Sequence, residues 1–283
     1  MSIKQGLVRK FIKFNSSILG EQNSLGILKY LLHILPPKYA APINWLTLAE
    51  FPLDSETELL YSYGSPRKFP QIKLKVNPKC LHARFFVMSG YYEELLTKEI
   101  LSERRRGLLV DIGANFGYYS VLWLQKEGTR VIAVEPVTEY VELLHENLKD
   151  YLSRFEIFPG CIGDRNGTAF LDTLGDPTML TKVVTDEHQE EEGVRRSEML
   201  TLNSLLEKYN EHSIDVLKID AEGYDLKILE SCKSLFAAKA IKTVFWETAN
   251  SAEEKEMMKF LESLGYSKIL AKGATGYELI DNN

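Results

Sequence analysis

From Leu108 onward, short apolar runs alternate with stretches of helical spacing. "LLVDI" (Leu108–Ile112), "RVIAVE" (Arg130–Glu135), "FEIFPGCIG" (Phe155–Gly163), "IDVLKID" (Ile214–Asp220) and "IKTVFWE" (Ile241–Glu247) read as strands covered on both faces. A shorter strand, "TAFLD" (Thr168–Asp172), follows the third. Tyr118–Lys126, Glu139–Leu148, Thr201–Tyr209, Tyr224–Cys232 and Glu253–Leu264 read as helices, and "YYEELLTKEIL" (Tyr91–Leu101) as a helix leading in. This βαβ series predicts an α/β, Rossmann-like, doubly wound and mainly parallel sheet. "SKIL" (Ser267–Leu270) and "YELI" (Tyr277–Ile280), joined by the turn "KGATG", predict an antiparallel C-terminal edge. Leu174–Arg196, with the acidic run "TDEHQEEEG", reads as an exposed or mobile loop.

The chain before this series has another texture. "LPPKYAAP", "YGSPRKFP" and "VNPK" are turn or extended signals, Lys10–Leu35 has room for one or two helices, and "QIKLKV" (Gln71–Val76) alternates as a strand does. The expected organisation is an irregular N-terminal extension over residues 1–88, serving as an acceptor-binding region or lid, and an α/β domain over residues 89–283.

Composition adds a few exclusions. Of the 283 residues, 45% are hydrophobic and 26% charged, enough apolar side chains for a sizeable core. The formal net charge of -6 offers no general grip on nucleic acid, so none is expected as a partner. No apolar run reaches the roughly 20 residues of a transmembrane helix. The first residues are basic but lack the pattern of a secretory signal; they read as a solvated basic helix, with a transit peptide or a membrane-surface helix as the alternatives. Cys80, Cys161 and Cys232 fit neither a disulfide framework nor a metal spacing, which favours a reducing compartment and a cytoplasmic location.

The candidate chemistry starts where the first strand ends. Asp111 closes it, and Gly113 and Gly117 occupy the turn that opens the next helix. Glycine there lets a ligand approach the main chain, and a helix start presents free N–H groups. Glu135, at the end of the second strand and about 20 residues on, stands where an acid accepts bonds from ribose hydroxyls. Together they suggest a ribose-bearing cofactor. The turn reads G-x-x-x-G, with Asn115 at the place of the middle glycine of a dinucleotide fingerprint, and no Gly-Lys-Ser/Thr follows.

"VDIGANFGYYS" (Val110–Ser120) resembles the first motif of class I S-adenosylmethionine-dependent methyltransferases, specifically the FkbM family. "SGYYEELL", "VEPVTEYVELLHENL", "GCIGDRNGTAFL", "TLNSLLEKY" and "IDVLKIDAEGYDLKILE" agree in order, so the resemblance spans about Ser89 to Glu247. Asn203 and Ala221 stand where the family usually has Asp and Val. The resemblance implies S-adenosylmethionine as cofactor and methyl transfer, commonly to a hydroxyl of a sugar, glycan or secondary metabolite. On this chain it implies that Asp111, Gly113, Asn115 and Gly117 flank the methionine half and that Glu135 holds the ribose. It places Asp164 near the adenine amino group and Glu93 at the methionine amino group, with helix capping as the competing role for Glu93.

A hydroxyl acceptor needs a base or a metal ion to take its proton. Asp220 closes the fourth strand, Glu222 follows it, and Glu247 closes the fifth, all at the same rim as Asp111. These three are the candidate catalytic residues; the acids at Asp220 and Glu222 also suit the start of the helix from Tyr224. The two strand-end carboxylates with Asn250 would suit a hard divalent cation such as Mg²⁺, as in related sugar methyltransferases. Lys218, inside an apolar strand, needs a partner or a lowered pKa; it either reaches the cofactor rim or pairs with an acid, and the pairing is the preferred reading. His33, His82, His145, His188 and His212 all miss the ligand-side strand ends; His145 reads as surface, and His82 is the least poor histidine base. A nicotinamide-dependent reductase is disfavoured by the glycine spacing and by the lack of a Tyr-x-x-x-Lys pair. A non-catalytic adenosyl-ligand-binding partner protein is disfavoured by the strand-end acids.

Overall fold

A computed structural model describes residues 59–63, 72–76, 93–172, 182–184, 194–247, 249–272 and 274–280. The chain divides into two compact units, Met1–Tyr92 and Glu93–Asn283. In the first, β1 (Leu59–Tyr63) and β2 (Ile72–Val76) pair antiparallel, with Leu59 opposite Val76. Ile72, Leu74 and Val76 are buried and Lys73 is exposed, the alternation legible in "QIKLKV". The helices expected within Lys10–Leu35, and Cys80, His33, His82, His188, Tyr91 and Tyr92, lie outside the described residues.

The second unit runs α1 (Glu94–Leu101), β3 (Leu108–Ile112), α2 (Tyr118–Leu124), β4 (Arg130–Val134), α3 (Thr138–Leu148) and β5 (Phe155–Phe158). It continues with β6 (Cys161–Ile162), β7 (Gly167–Asp172), β8 (Lys182–Val184), β9 (Val194–Leu200) and α4 (Leu202–Lys208). Last come β10 (Ile214–Ile219), α5 (Asp225–Ser231), α6 (Lys233–Ala237), β11 (Ile241–Glu247), α7 (Ala252–Ser263), β12 (Tyr266–Lys272) and β13 (Ala274–Leu279).

The main sheet has the order β12-β13-β11-β10-β3-β4-β5. Its five strands from β11 to β5 are parallel, and β13 is antiparallel to both its neighbours. The chain winds outward from β3 to β5 and then returns to the other side of β3 at β10. The order therefore reverses between β3 and β10, where open α/β sheets leave a crevice at the strand ends. All five residues of β3 are buried, as for a strand covered on both faces. Val110, Ile132, Leu217, Val244, Ile228 and Leu261 belong to the main core under this sheet.

Three expectations change. The third strand divides at Pro159–Gly160: β5 stays in the main sheet, while β6 pairs with β9. Proline brings no N–H to a ladder, and a Cβ on Gly160 would lie 2.7 Å from the Glu198 carbonyl oxygen. The expected loop Leu174–Arg196 contains β8 and the start of β9, which pair antiparallel with β7 in a second sheet of order β6-β9-β7-β8. Within β9 Met199 is buried while Arg195, Arg196 and Glu198 are exposed, so the strand carried little apolar signal. The antiparallel edge is as expected, but its turn is tighter, because Lys272 and Ala274 already face each other as a ladder pair.

α1 is tied to the sheet by Arg105, whose side chain is 3% exposed. It donates to Glu99 of α1 at 2.8 Å, to Glu278 of β13 at 2.7 Å and to Thr243 of β11 at 2.7 Å. Among the described residues no helix is long and apolar enough to cross a membrane.

Candidate active site

The turn after β3 is folded onto the ends of its two neighbours. Gly113 and Ala114 donate their N–H groups to the Val134 carbonyl at the end of β4, each at 3.0 Å. On the other side, a Cβ on Gly113 would sit 1.9 Å from the Asp220 carbonyl oxygen, and its φ is +69°. Only glycine fits that contact. Asn115 is left-handed at φ 52°, a conformation asparagine tolerates, and its Oδ1 accepts the Phe116 N–H at 2.8 Å. Gly117, at φ 90°, is the N-cap of α2.

Glu135 closes the far side of the turn. It is 5% exposed. One carboxylate oxygen accepts the Asn115 N–H at 2.8 Å and the other accepts the Val137 N–H at 3.0 Å. The glycine turn and the strand-end acid are thus joined directly. Burial pushes the Glu135 carboxyl up to about 7, against the opposing pull of those two N–H donors and of Lys218. Each oxygen has one recorded N–H donor and retains capacity for another.

Beneath the turn lies Lys218, 3% exposed. Its Nζ donates to the carbonyls of Ile112 at 3.1 Å and Gly113 at 2.9 Å. Its charge faces Asp111 Oδ1 at 3.4 Å and Asp220 Oδ2 at 3.5 Å, so the acidic pairing expected for this lysine is present twice. Burial alone would lower its pKa; the carboxylates of Asp220, Asp111 and Glu93 outweigh it and raise it, so the ammonium stays charged. Asp111 is wholly buried, and its other oxygen accepts from Ser120 Oγ at 2.7 Å. It supports the turn from below and presents no open oxygen to the rim.

Glu93 stands at the N-cap position of α1 with φ 41°, yet its side chain makes no capping bond. It accepts from the Tyr119 hydroxyl at 2.7 Å instead. Burial raises its pKa, Tyr119 and Lys218 lower it, and Asp220 raises it, with a net upward shift. Asp220 follows β10 and donates its N–H to the Ile112 carbonyl at 3.2 Å. Glu222, at φ 50°, lies in the next turn. The N-cap of α5 is Tyr224, without a side-chain bond, and the acid in its first turn is Asp225. Glu247 is exposed at the end of β11; its pKa is raised first by partial burial, then by the charges of Asp220, Asp225 and Glu93. Asp164, beyond β6, accepts from the Tyr224 hydroxyl at 3.2 Å and faces Arg165 at 3.5 Å.

Four supporting residues escaped the sequence reading. Tyr119 and Ser120 lie on α2, which is buried all round, so their polar ends are hidden in an apolar run. Ser120 was the one signal, a hydroxyl among large apolar neighbours. Glu254, 1% exposed, accepts from Trp246 Nε1 at 2.9 Å and from the Asn250 N–H, fixing the loop after β11. Asp225 is the fourth, with its bonds to the ends of β10 and β11. His145 is exposed on α3, as expected of it, and His212 is exposed too. Among the described residues no group of three or more His, Cys, Asp or Glu side chains is arranged to hold a metal ion.

The family model that matches this chain is the methyltransferase FkbM domain, over residues 111–268. No curated protein matches it. Among solved structures, the METTL16 MTase domain is 10% identical, covering 74% of this chain and 74% of its own, with a TM-score of 0.44. Precorrin-6y C5,15-methyltransferase from Geobacter metallireducens GS-15 is 12% identical, covering 65% of this chain and 87% of its own, with a TM-score of 0.39. An rRNA methylase from Streptococcus thermophilus is 10% identical, covering 66% of this chain and 95% of its own, with a TM-score of 0.38.

Proposed function

The chain belongs to the methyltransferase FkbM domain family, and from that membership we propose that it moves the methyl group of S-adenosylmethionine to a hydroxyl of a sugar, glycan or secondary metabolite. The observation that carries the cofactor side is the 2.8 Å bond from the Asn115 N–H to Glu135. It brings the glycine turn and the strand-end acid together at the reversal of strand order, where a nucleoside is held in such sheets. The residues fit the group: a buried carboxylate with acceptor capacity left over suits a ribose diol.

When bound, S-adenosylmethionine supplies a methyl group already activated by its sulfonium. The chain's part is to bind, orient and take a proton. Gly113, Asn115 and Gly117 border the methionine half, with Asp111 and Lys218 holding the turn from beneath. Glu93 takes the methionine amino group and Asp164 the adenine amino group. A hydroxyl acceptor holds its proton tightly, so a base beside it lowers the barrier. Asp220, Glu222 and Glu247 are the candidates, and Glu247 is the best of them. It is exposed, and its acidic neighbours raise its proton affinity. Residues 1–88 are assigned to acceptor binding or to a lid. The free thiols of Cys161 and Cys232 suit the cytoplasm.

Calorimetry with S-adenosylmethionine and with NADH tests the cofactor. The first should bind and the second should not; binding of NADH alone, or of neither, overturns the reading. A screen of hydroxylated acceptors with methyl-labelled cofactor tests the reaction, with RNA included as the competing class. Binding without transfer to any acceptor leaves the non-catalytic adenosyl-binding alternative.

A further inference from the structure

A buried carboxylate sits where two strands of the sheet separate. β10 and β11 stay in register up to Ile219 and Trp246, the last pair of their ladder. Beyond it, Asp220 turns to β3 through the Ile112 carbonyl, and Glu247 pairs with Ala274 of β13. The N–H groups of Ala221 and Glu247 lie past the last β10–β11 pair, and each has a side-chain acceptor there. Asp225 supplies both. One of its oxygens accepts the Ala221 N–H at 3.2 Å, and the other accepts the Glu247 N–H at 3.3 Å.

An acid in the first turn of a helix is ordinarily explained by the helix dipole. That does not account for this one, which is 4% exposed and reaches across to a different strand. Burying a carboxylate is costly unless it is well bonded, and burial raises the Asp225 pKa against the pull of its backbone donors. The carboxylate bridges the two segments that carry the candidate bases.

We propose that Asp225 is a positioning residue of the transfer site, whose carboxylate sets the spacing between the Asp220–Glu222 turn and Glu247 where β10 and β11 part. The proposal rests on the reading above, in which those acids serve the acceptor hydroxyl. Its charge also reaches Glu247, alongside those of Asp220, Glu93 and Lys218.

The full chain is tested as D225N and D225A. Asparagine keeps the size but offers one oxygen, and its NH₂ group faces a backbone N–H. Four quantities are read: S-adenosylmethionine affinity, S-adenosylhomocysteine release with an acceptor from the labelled screen, the ¹³C titration of the Glu247 carboxyl, and amide exchange at Ala221 and Glu247. In D225N, affinity should stay within about twofold, while turnover falls about ten- to a hundredfold, the scale of a misplacement near 1 Å. Glu247 should titrate at lower pH, and both amides should exchange faster while Val216–Ile219 keep their protection.

Turnover within about twofold of wild type overturns the proposal. So does a cofactor affinity that collapses with turnover, since the residue would then serve the fold at large. The titration and the exchange need no acceptor, and if both stay at wild-type values in D225N they overturn the proposal by themselves. Should D225A fail to fold, D225N decides. Undiminished turnover in both E247Q and D220N would instead sink the assignment of the bases, an outcome independent of how Glu247 titrates in D225N.

Discussion

Glu135 is a carboxylate that burial holds near neutrality, at a pKa of about 7, and this has consequences of definite sign. Its unfolded-state pKa is near the ordinary 4.5, so between about 4.5 and 7 the folded chain binds more protons than the unfolded one. Its contribution to stability therefore falls as pH rises through that window. Hydroxyl donors from a ribose favour the ionised form, so cofactor binding at pH 7 should release up to about half a proton per chain. Calorimetry in buffers of different ionisation heat should show it, with affinity rising between about pH 6 and 8. Glu135→Ala should abolish the release and weaken binding about tenfold or more, as loss of a charge-assisted bond does. A binding heat independent of buffer would contradict the assignment. At this scale the sequence showed which residues are special but not always why. Gly113 was legible as a turn glycine, yet its nearest constraint is the Asp220 carbonyl, 107 positions along the chain.

Among the elements, α1 depends on tertiary contacts. It has eight residues, too few to be stable alone in water. Arg105 links it to β11 and β13, and a guanidinium fork suits this better than an ammonium would. Arg105→Met should cost about 2 kcal/mol, below the usual penalty for stranding a buried partner because Glu99 and Glu278 still reach solvent. The melting temperature should fall by about 4–8 °C; a shift under a degree or so would show the anchor to be idle. The strongly apolar elements, β3, β4, β10 and β11, were legible because a strand covered on both faces writes a continuous apolar run. β9 was missed because a strand with one weakly buried face writes almost none.

For the molecule as a whole, strand order sets a gradient of protection. β3 and β10 are paired on both sides and lie among buried residues, whereas β5 is paired with β4 at the end of the sheet order. Native-state amide exchange should be slowest in Leu108–Ile112 and Val216–Ile219 and faster in Phe155–Phe158. Equal rates across these strands would speak against one continuous core. The sequence by itself determined the α/β alternation, the glycine turn, the acid that closes β4 and the family, because each is a property of residues near one another in the chain. Only the tertiary structure decided that Lys218 lies between Asp111 and Asp220, that Glu93 turns to Tyr119 and not to its own helix, and that Asp225 joins β10 to β11. The physical reason is that a buried polar group must be satisfied by whatever the sheet order brings beside it, and that order is set by the packing of the whole domain.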